Sequence, residues 1–191
     1  MSSKPMKNLL IIISGPSGVG KGTLVRKLLA SDDYALSISC TTRKAREGEV
    51  DGKSYFFISE EEFLKAAEEN GFLEYSNHFG NYYGTPRAFV EHQLKTHDVI
   101  LEIEPNGAFQ VKKSHPEAIL VMILPPDASV LRSRLKGRAT ENDEQIEMRI
   151  KRAEYELSKR EQYDYAIVND NLDDCVNKLH KLIQDLKGAN I

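Results

Sequence analysis

"NLLIIISGPSGVGKGT", residues 8–23, joins an unbroken apolar run to a glycine-rich turn that ends in a lysine. The unbroken apolar run at 9–13 reads as a buried strand, because a strand covered on both faces of a parallel sheet needs no polar alternation. Gly15, Gly18 and Gly20 then let the backbone curl so that successive amide N–H groups point inward. A helix starting near Lys21 aims its positive end at the same place, so an anion fits there. Gly15, Pro16, Ser17, Gly18, Val19, Gly20, Lys21, Gly22 and Thr23 are therefore the candidate phosphate loop, with Lys21 as a point charge for β and γ phosphates. The plain alternative is a glycine-rich turn with a surface lysine, but a strand before and a helix after are the context the motif requires.

Many nucleotide hydrolases carry a magnesium-ligating hydroxyl directly after the lysine. Here that residue is Gly22, and Thr23 comes one position late. This weighs against signalling GTPases. The Gly-Lys-Gly-Thr form instead resembles nucleoside monophosphate kinases, where magnesium sits mostly among phosphate oxygens and water.

Working outward, apolar runs at 99–103 and 118–124 read as further parallel strands, and helical spacing appears at 21–30, 130–135 and 172–186. Strands alternating with helices imply an α/β fold of the P-loop NTPase type, a parallel sheet flanked by helices. Residues 39–86 have a different texture and read as a small mixed or antiparallel insertion. Asp51-Gly52 and Gly80-Asn81 are both hairpin signals. Between them Ser59 and Glu62 form a capping box, Ile58 and Phe63 a hydrophobic staple, and Gly71 a helix stop. Residues 136–145 hold no apolar side chain larger than alanine and read as a short lid between two helices. The expected organisation is one domain over 1–191, with a core of 1–38, 87–135 and 146–191.

Composition narrows the function classes. Hydrophobic residues make up 40% and charged residues 29%, and no apolar run approaches the ~20 residues that span a bilayer, so a membrane partner is not expected. The net charge of -3 argues against a nucleic-acid partner. The apolar stretch behind the start is too short for a signal peptide, and Cys40 and Cys175 lack paired or zinc-binding spacing. A cytoplasmic setting is expected. Oligomeric state stays open, a homo-oligomer included.

Arg43 and Arg46 precede Tyr55 in the insertion, and Tyr83 follows in its second half. Guanidinium groups match phosphate oxygens in bidentate fashion, so these four side chains suit one phosphate monoester, against the plainer reading of a solvated face. Glu74 and Thr85 flank the second hairpin. A single carboxylate accepts from both N1–H and N2–H of guanine, whereas adenine offers an acceptor at N1, so Glu74 is the base-selecting candidate, with Ser39 and Thr85 in support.

"TTRKAREGEVDGKSYFF", "FLEY", "GNYYGTP" and "YDYAIVND" resemble the guanylate kinase family in order and spacing, and the resemblance spans nearly the whole chain. It implies that Ser39, Glu74 and Thr85 read guanine, and that Arg43, Arg46, Tyr55 and Tyr83 hold the GMP phosphate. It implies ATP as phosphoryl donor with Mg²⁺, transfer onto GMP, and Arg134, Arg138 and Arg149 beside Lys21 as the cations that stabilise the moving phosphoryl. Asn169 resembles the family's adenine contact, with a plain turn residue as the alternative. The sequence departs from the family pattern at Glu104-Pro105-Asn106 and at Ala139. Glu104 has two readings: an acid near magnesium-bound water or the guanine edge, and a helix-start carboxylate. Arg132, Lys136, Lys151 and Arg152 read as solvated charge, and all five histidines as surface or packing residues. A kinase for AMP or a pyrimidine nucleotide and a non-catalytic protein-binding module are the rivals. Glu74 opposes the first, and Lys21 with its arginines the second.

Overall fold

A computed structural model describes residues 8–31, 33–78, 80–136 and 143–189. In chain order the elements are β1 (Leu10–Ser14), α1 (Lys21–Leu28), β2 (Tyr34–Leu36), β3 (Cys40–Thr41), β4 (Phe56–Phe57), α2 (Glu60–Glu68), β5 (Phe72–His78), β6 (Asn81–Pro86), α3 (Arg87–Gln93), β7 (Asp98–Glu102), α4 (Pro105–Ser114), β8 (Ile119–Leu124), α5 (Ala128–Lys136), α6 (Asp143–Leu157), β9 (Tyr165–Val168) and α7 (Leu172–Ala189). Of the expected lid, residues 137–142, Arg138 and Ala139 among them, lie outside the described residues.

β1 is the middle strand of a five-stranded parallel sheet of order β2-β7-β1-β8-β9. Its isoleucines are fully buried because both faces are covered, as the unbroken apolar run predicts. Leu9, Ile11 and Ile13 pack with Leu24 and Leu28 of α1 and Leu179 and Ile183 of α7, while Leu10 and Ile12 pack with Val90 of α3 and Val111 of α4. The period-two alternation of the strand thus divides one apolar run between two helical layers. Parallel strands bring their carboxyl ends to one edge, so the chain after β1, Glu102 of β7 and Asn169 after β9 share that rim. Among the described residues no helix is long and apolar enough to cross a membrane.

The insertion builds its own sheet of order β4-β3-β6-β5. Asp51-Gly52 does not make the expected hairpin. β3 and β4 run parallel, and Gly52, at φ 72°, serves a local turn in which its N–H donates to Tyr55 O at 2.8 Å. The second hairpin forms, but His78 pairs with Asn81, so the turn is centred one residue earlier than Gly80-Asn81. The Ser59–Glu62 capping box is present in full. The helix stop falls on Asn70, which takes the left-handed conformation at φ 55°. Asn70 N–H donates to Ala67 O and Gly71 N–H to Ala66 O, a Schellman closure that brings Gly71 too near Ala66 O for a side chain. Phe63 stacks on Phe72 at 4.4 Å and on Tyr82 at 5.2 Å, with Ile58 packed beside it, to form the insertion's core.

Candidate active site

The phosphate loop follows from three backbone positions. Gly15, Gly18 and Gly20 all have positive φ, and a β-carbon at Gly15 would overlap the carbonyl of Ile123 on β8. Gly20 caps α1 in the left-handed region with no side-chain cap and no acid in the first turn, so the helix's free N–H groups and dipole are left to an anion. Lys21 Nζ donates to Gly15 O and, at 3.2 Å, to Pro16 O. Burial holds the Lys21 pKa below its ordinary value, and Glu102, Glu156 and Glu104 oppose that shift. Asn169 is buried and donates through Nδ2 to Val19 O at 2.8 Å, so it braces the loop from β9, a role beyond the turn and adenine readings.

The acceptor candidates converge on one cavity of about 450 Å³, within the range of small-molecule sites. Ser39, Arg43, Arg46, Tyr55, Glu74, Tyr83 and Glu104 all line it. Thr85 lies behind the wall, fully buried, and donates its hydroxyl to Glu74 Oε1 at 2.6 Å. Glu74 is itself buried, and burial raises its pKa against the Thr85 hydrogen bond. Arg43 forks onto Glu49 at 2.9 and 3.0 Å and lies 5.5 Å from the centre of the Tyr55 ring, which stands edge-on to Tyr83 at 6.0 Å. The hydrogen bonds to Glu49 push the Arg43 pKa up, so its charge is secure.

A second cavity of about 700 Å³ opens beside the phosphate loop, lined by Gly15, Ser17, Lys21, Arg149 and Met148 among others. Glu102, Ile103, Glu104 and Arg152 line both cavities and form the boundary between them. Arg149, on α6, lines the phosphate-loop cavity, whereas Arg134 is exposed on α5 and lines neither.

Four residues of this site were not singled out by the sequence. Glu102 opens onto the cleft, with its carboxylate 3.7 Å from where a β-carbon on Gly22 would stand, and burial raises its pKa against the pull of Lys21 and Arg26. It fills the side of the loop where a hydroxyl-bearing residue would point. Gly107 in α4 touches the Glu74 carboxylate, and a glycine inside a helical pattern is a signal of close approach. Arg152 is exposed, as solvated charge would be, but also paired: it donates through Nη2 to Glu104 and through Nε to buried Glu156 at 3.2 Å. His78 lines the insertion cavity, with Nε2 hydrogen-bonded to Ser76 Oγ at 2.9 Å and 3.4 Å from Glu104 Oε2. Glu104 is the N-cap residue of α4 but makes no side-chain cap, since its carboxylate turns to Arg152 and His78.

Comparison with known proteins agrees with this geometry. The guanylate kinase family model matches residues 7–186. The guanylate kinase of Clostridium tetani is 49% identical over 178 residues, covering 93% of this chain and 86% of its own. That of Deinococcus radiodurans is 51% identical over 185 residues, covering 96% and 77%. The crystal structure of guanylate kinase from Anaplasma phagocytophilum superposes with a TM-score of 0.75 at 30% identity, covering 95% of this chain and 87% of that one. Shikimate kinase from Bacteroides thetaiotaomicron, at 17% identity and a TM-score of 0.50, shares the fold. A phosphate loop without the adjoining hydroxyl, a neighbouring cavity walled by Glu74 and paired arginines, and these matches lead to one conclusion: the chain belongs to the guanylate kinase family.

Proposed function

We propose that ATP occupies the phosphate-loop cavity and GMP the insertion cavity, and that the γ-phosphoryl passes between them beside Glu102. The chain is an enzyme, an ATP:GMP phosphotransferase of purine nucleotide metabolism that yields ADP and GDP. The observation that carries the assignment of sites is the shared boundary: four residues line both cavities, so two nucleotides bound there would lie side by side.

In this reading Glu74, held by Thr85, accepts from the guanine N1–H and N2–H, with Ser39 and Glu104 beside it. Arg43, Arg46, Tyr55 and Tyr83 grip the GMP phosphate, whose second pKa near 6 leaves an oxygen ionised and nucleophilic without a base. Lys21 and Arg149 offset the repulsion between the two polyanions and stabilise charge on the phosphoryl as it moves in line, and Arg134 and Arg138 join them in the same role.

Magnesium fits the donor set at the loop. Such an ion keeps most of its water and takes one or two carboxylates with the substrate phosphates. Glu102, rather than Glu104, is the carboxylate beside Gly22 and would hold it. When bound, the ion neutralises charge on the phosphate oxygens.

The test is ADP production from Mg-ATP with GMP, AMP, UMP, CMP and dTMP supplied one at a time. Turnover with GMP alone is expected. Turnover with AMP or a pyrimidine nucleotide would overturn the role given to Glu74, and a folded protein inactive with every acceptor would overturn the reading altogether.

A further inference from the structure

Arg152 holds together parts of the molecule that are distant in sequence. Its guanidinium spans 48 residues to reach Glu104, at the carboxyl end of the strand region that separates the two cavities. From its other side, Nε donates to Glu156, which is only 6% exposed and lines the phosphate-loop cavity. The second oxygen of Glu104 lies 3.4 Å from His78 Nε2 of β5, so the carboxylate stands between the insertion and α6. Arg149, one turn before Arg152 on α6, faces the donor cavity. A planar guanidinium can serve two carboxylates in fixed directions, which a compact ammonium cannot.

We infer that Arg152 is a positioning residue that couples the two nucleotide sites, carrying the acceptor's engagement of Glu104 through α6 to the cations around the donor phosphates. The inference rests on the acceptor reading above. A base that takes a share of the Glu104 carboxylate weakens its bond to Arg152. The guanidinium then turns toward Glu156, and α6 shifts with it. Because binding couplings are reciprocal, an ATP analogue must alter GMP affinity by the same factor that GMP alters the analogue's.

The experiment is calorimetric titration of GMP, with and without saturating magnesium and a non-hydrolysable ATP analogue, on the wild-type chain and on Arg152→Met, Arg152→Gln and Arg152→Lys. The expected ratio of the two GMP dissociation constants is about 5-fold or more in the wild type and within about 2-fold of unity in the Met and Gln variants. The lysine variant is expected to fall between. Should Arg152→Met fail to fold, Arg152→Gln, which still donates to Glu156, decides. A purely structural role would weaken GMP binding equally under both conditions and leave the ratio at its wild-type value, which overturns the inference. So does a wild-type ratio of one. A wild-type chain that never binds GMP defeats the acceptor reading itself, and the coupling with it.

Discussion

The backbone of Gly107 packs so closely on Glu74 that a β-carbon there would stand 2.6 Å from Oε2. The bare turn of α4 is therefore part of the wall that holds the Glu74 carboxylate, proposed above to select the base. Gly107→Ala separates stability from recognition. Alanine favours a helix interior by about 0.5–1 kcal/mol, while the added methyl must push the carboxylate aside. Small misplacements of a positioning group can cost up to about 10²-fold, so the KM for GMP is expected to rise at least about 10-fold with the KM for ATP unchanged. Steady-state kinetics in each substrate checks this, and an unchanged KM for GMP would show that Glu74 has room to spare.

Glu74 also sets a pH dependence. Burial raises its folded-state pKa above the ordinary 4.5, so the folded protein holds this proton where the unfolded chain has released it. The group's effect on stability is absent below the unfolded value, and the fold then loses stability as pH rises from there through the folded value. Glu74→Gln has nothing to ionise, and its amide oxygen can still accept from Thr85. Its Tm is expected to match the wild type near about pH 4 and to exceed it increasingly toward neutrality, while activity with GMP falls. Scanning calorimetry across that interval decides: a Tm difference that is flat with pH would remove the buried charge as its cause.

The parts of the molecule legible in the sequence are those fixed by local chemistry. The run of isoleucines, the loop glycines and the Ser59–Glu62 box each specify their own backbone within a few residues. Asp51-Gly52 misled because a turn signal reports φ angles and not the direction in which the flanking strands pair. β2, β3 and β4 are two or three residues each, too short to show any period. Arg152 reads as solvated charge until α6 is laid against the end of β7, and only tertiary packing sets it at the edge of both cavities, with Glu156 beside it.

Asn169 is expected to matter through the loop it braces. Removing its amide in Asn169→Ala leaves Val19 O without that donor beneath the phosphate loop. A buried group left unpaired costs about 1–3 kcal/mol, which in a chain of this size lowers Tm by roughly 2–4 °C per kcal/mol. ADP affinity is expected to fall with it and GMP affinity to stay, both read by calorimetry. Equal loss of both ligands would point to general loosening rather than to a specific support.

Lys21 lines the phosphate-loop cavity and not the one beneath the insertion. Its ammonium sits against the carbonyls of Gly15 and Pro16, within the field of Glu102, Glu104 and Glu156. Lys21→Met removes that charge from the transferring phosphoryl and is expected to lower kcat about 10²- to 10³-fold, the usual cost of losing one preorganised electrostatic contact. Lys21→Arg is expected to fail as a rescue, because a planar fork needs different geometry from a point charge. GMP affinity measured without ATP is expected to stay within about 2-fold of the wild type, as for a contact that does not bind the acceptor. If it fell in step with kcat, Lys21 would be serving the acceptor, and the division of the two nucleotides between the two cavities would be wrong.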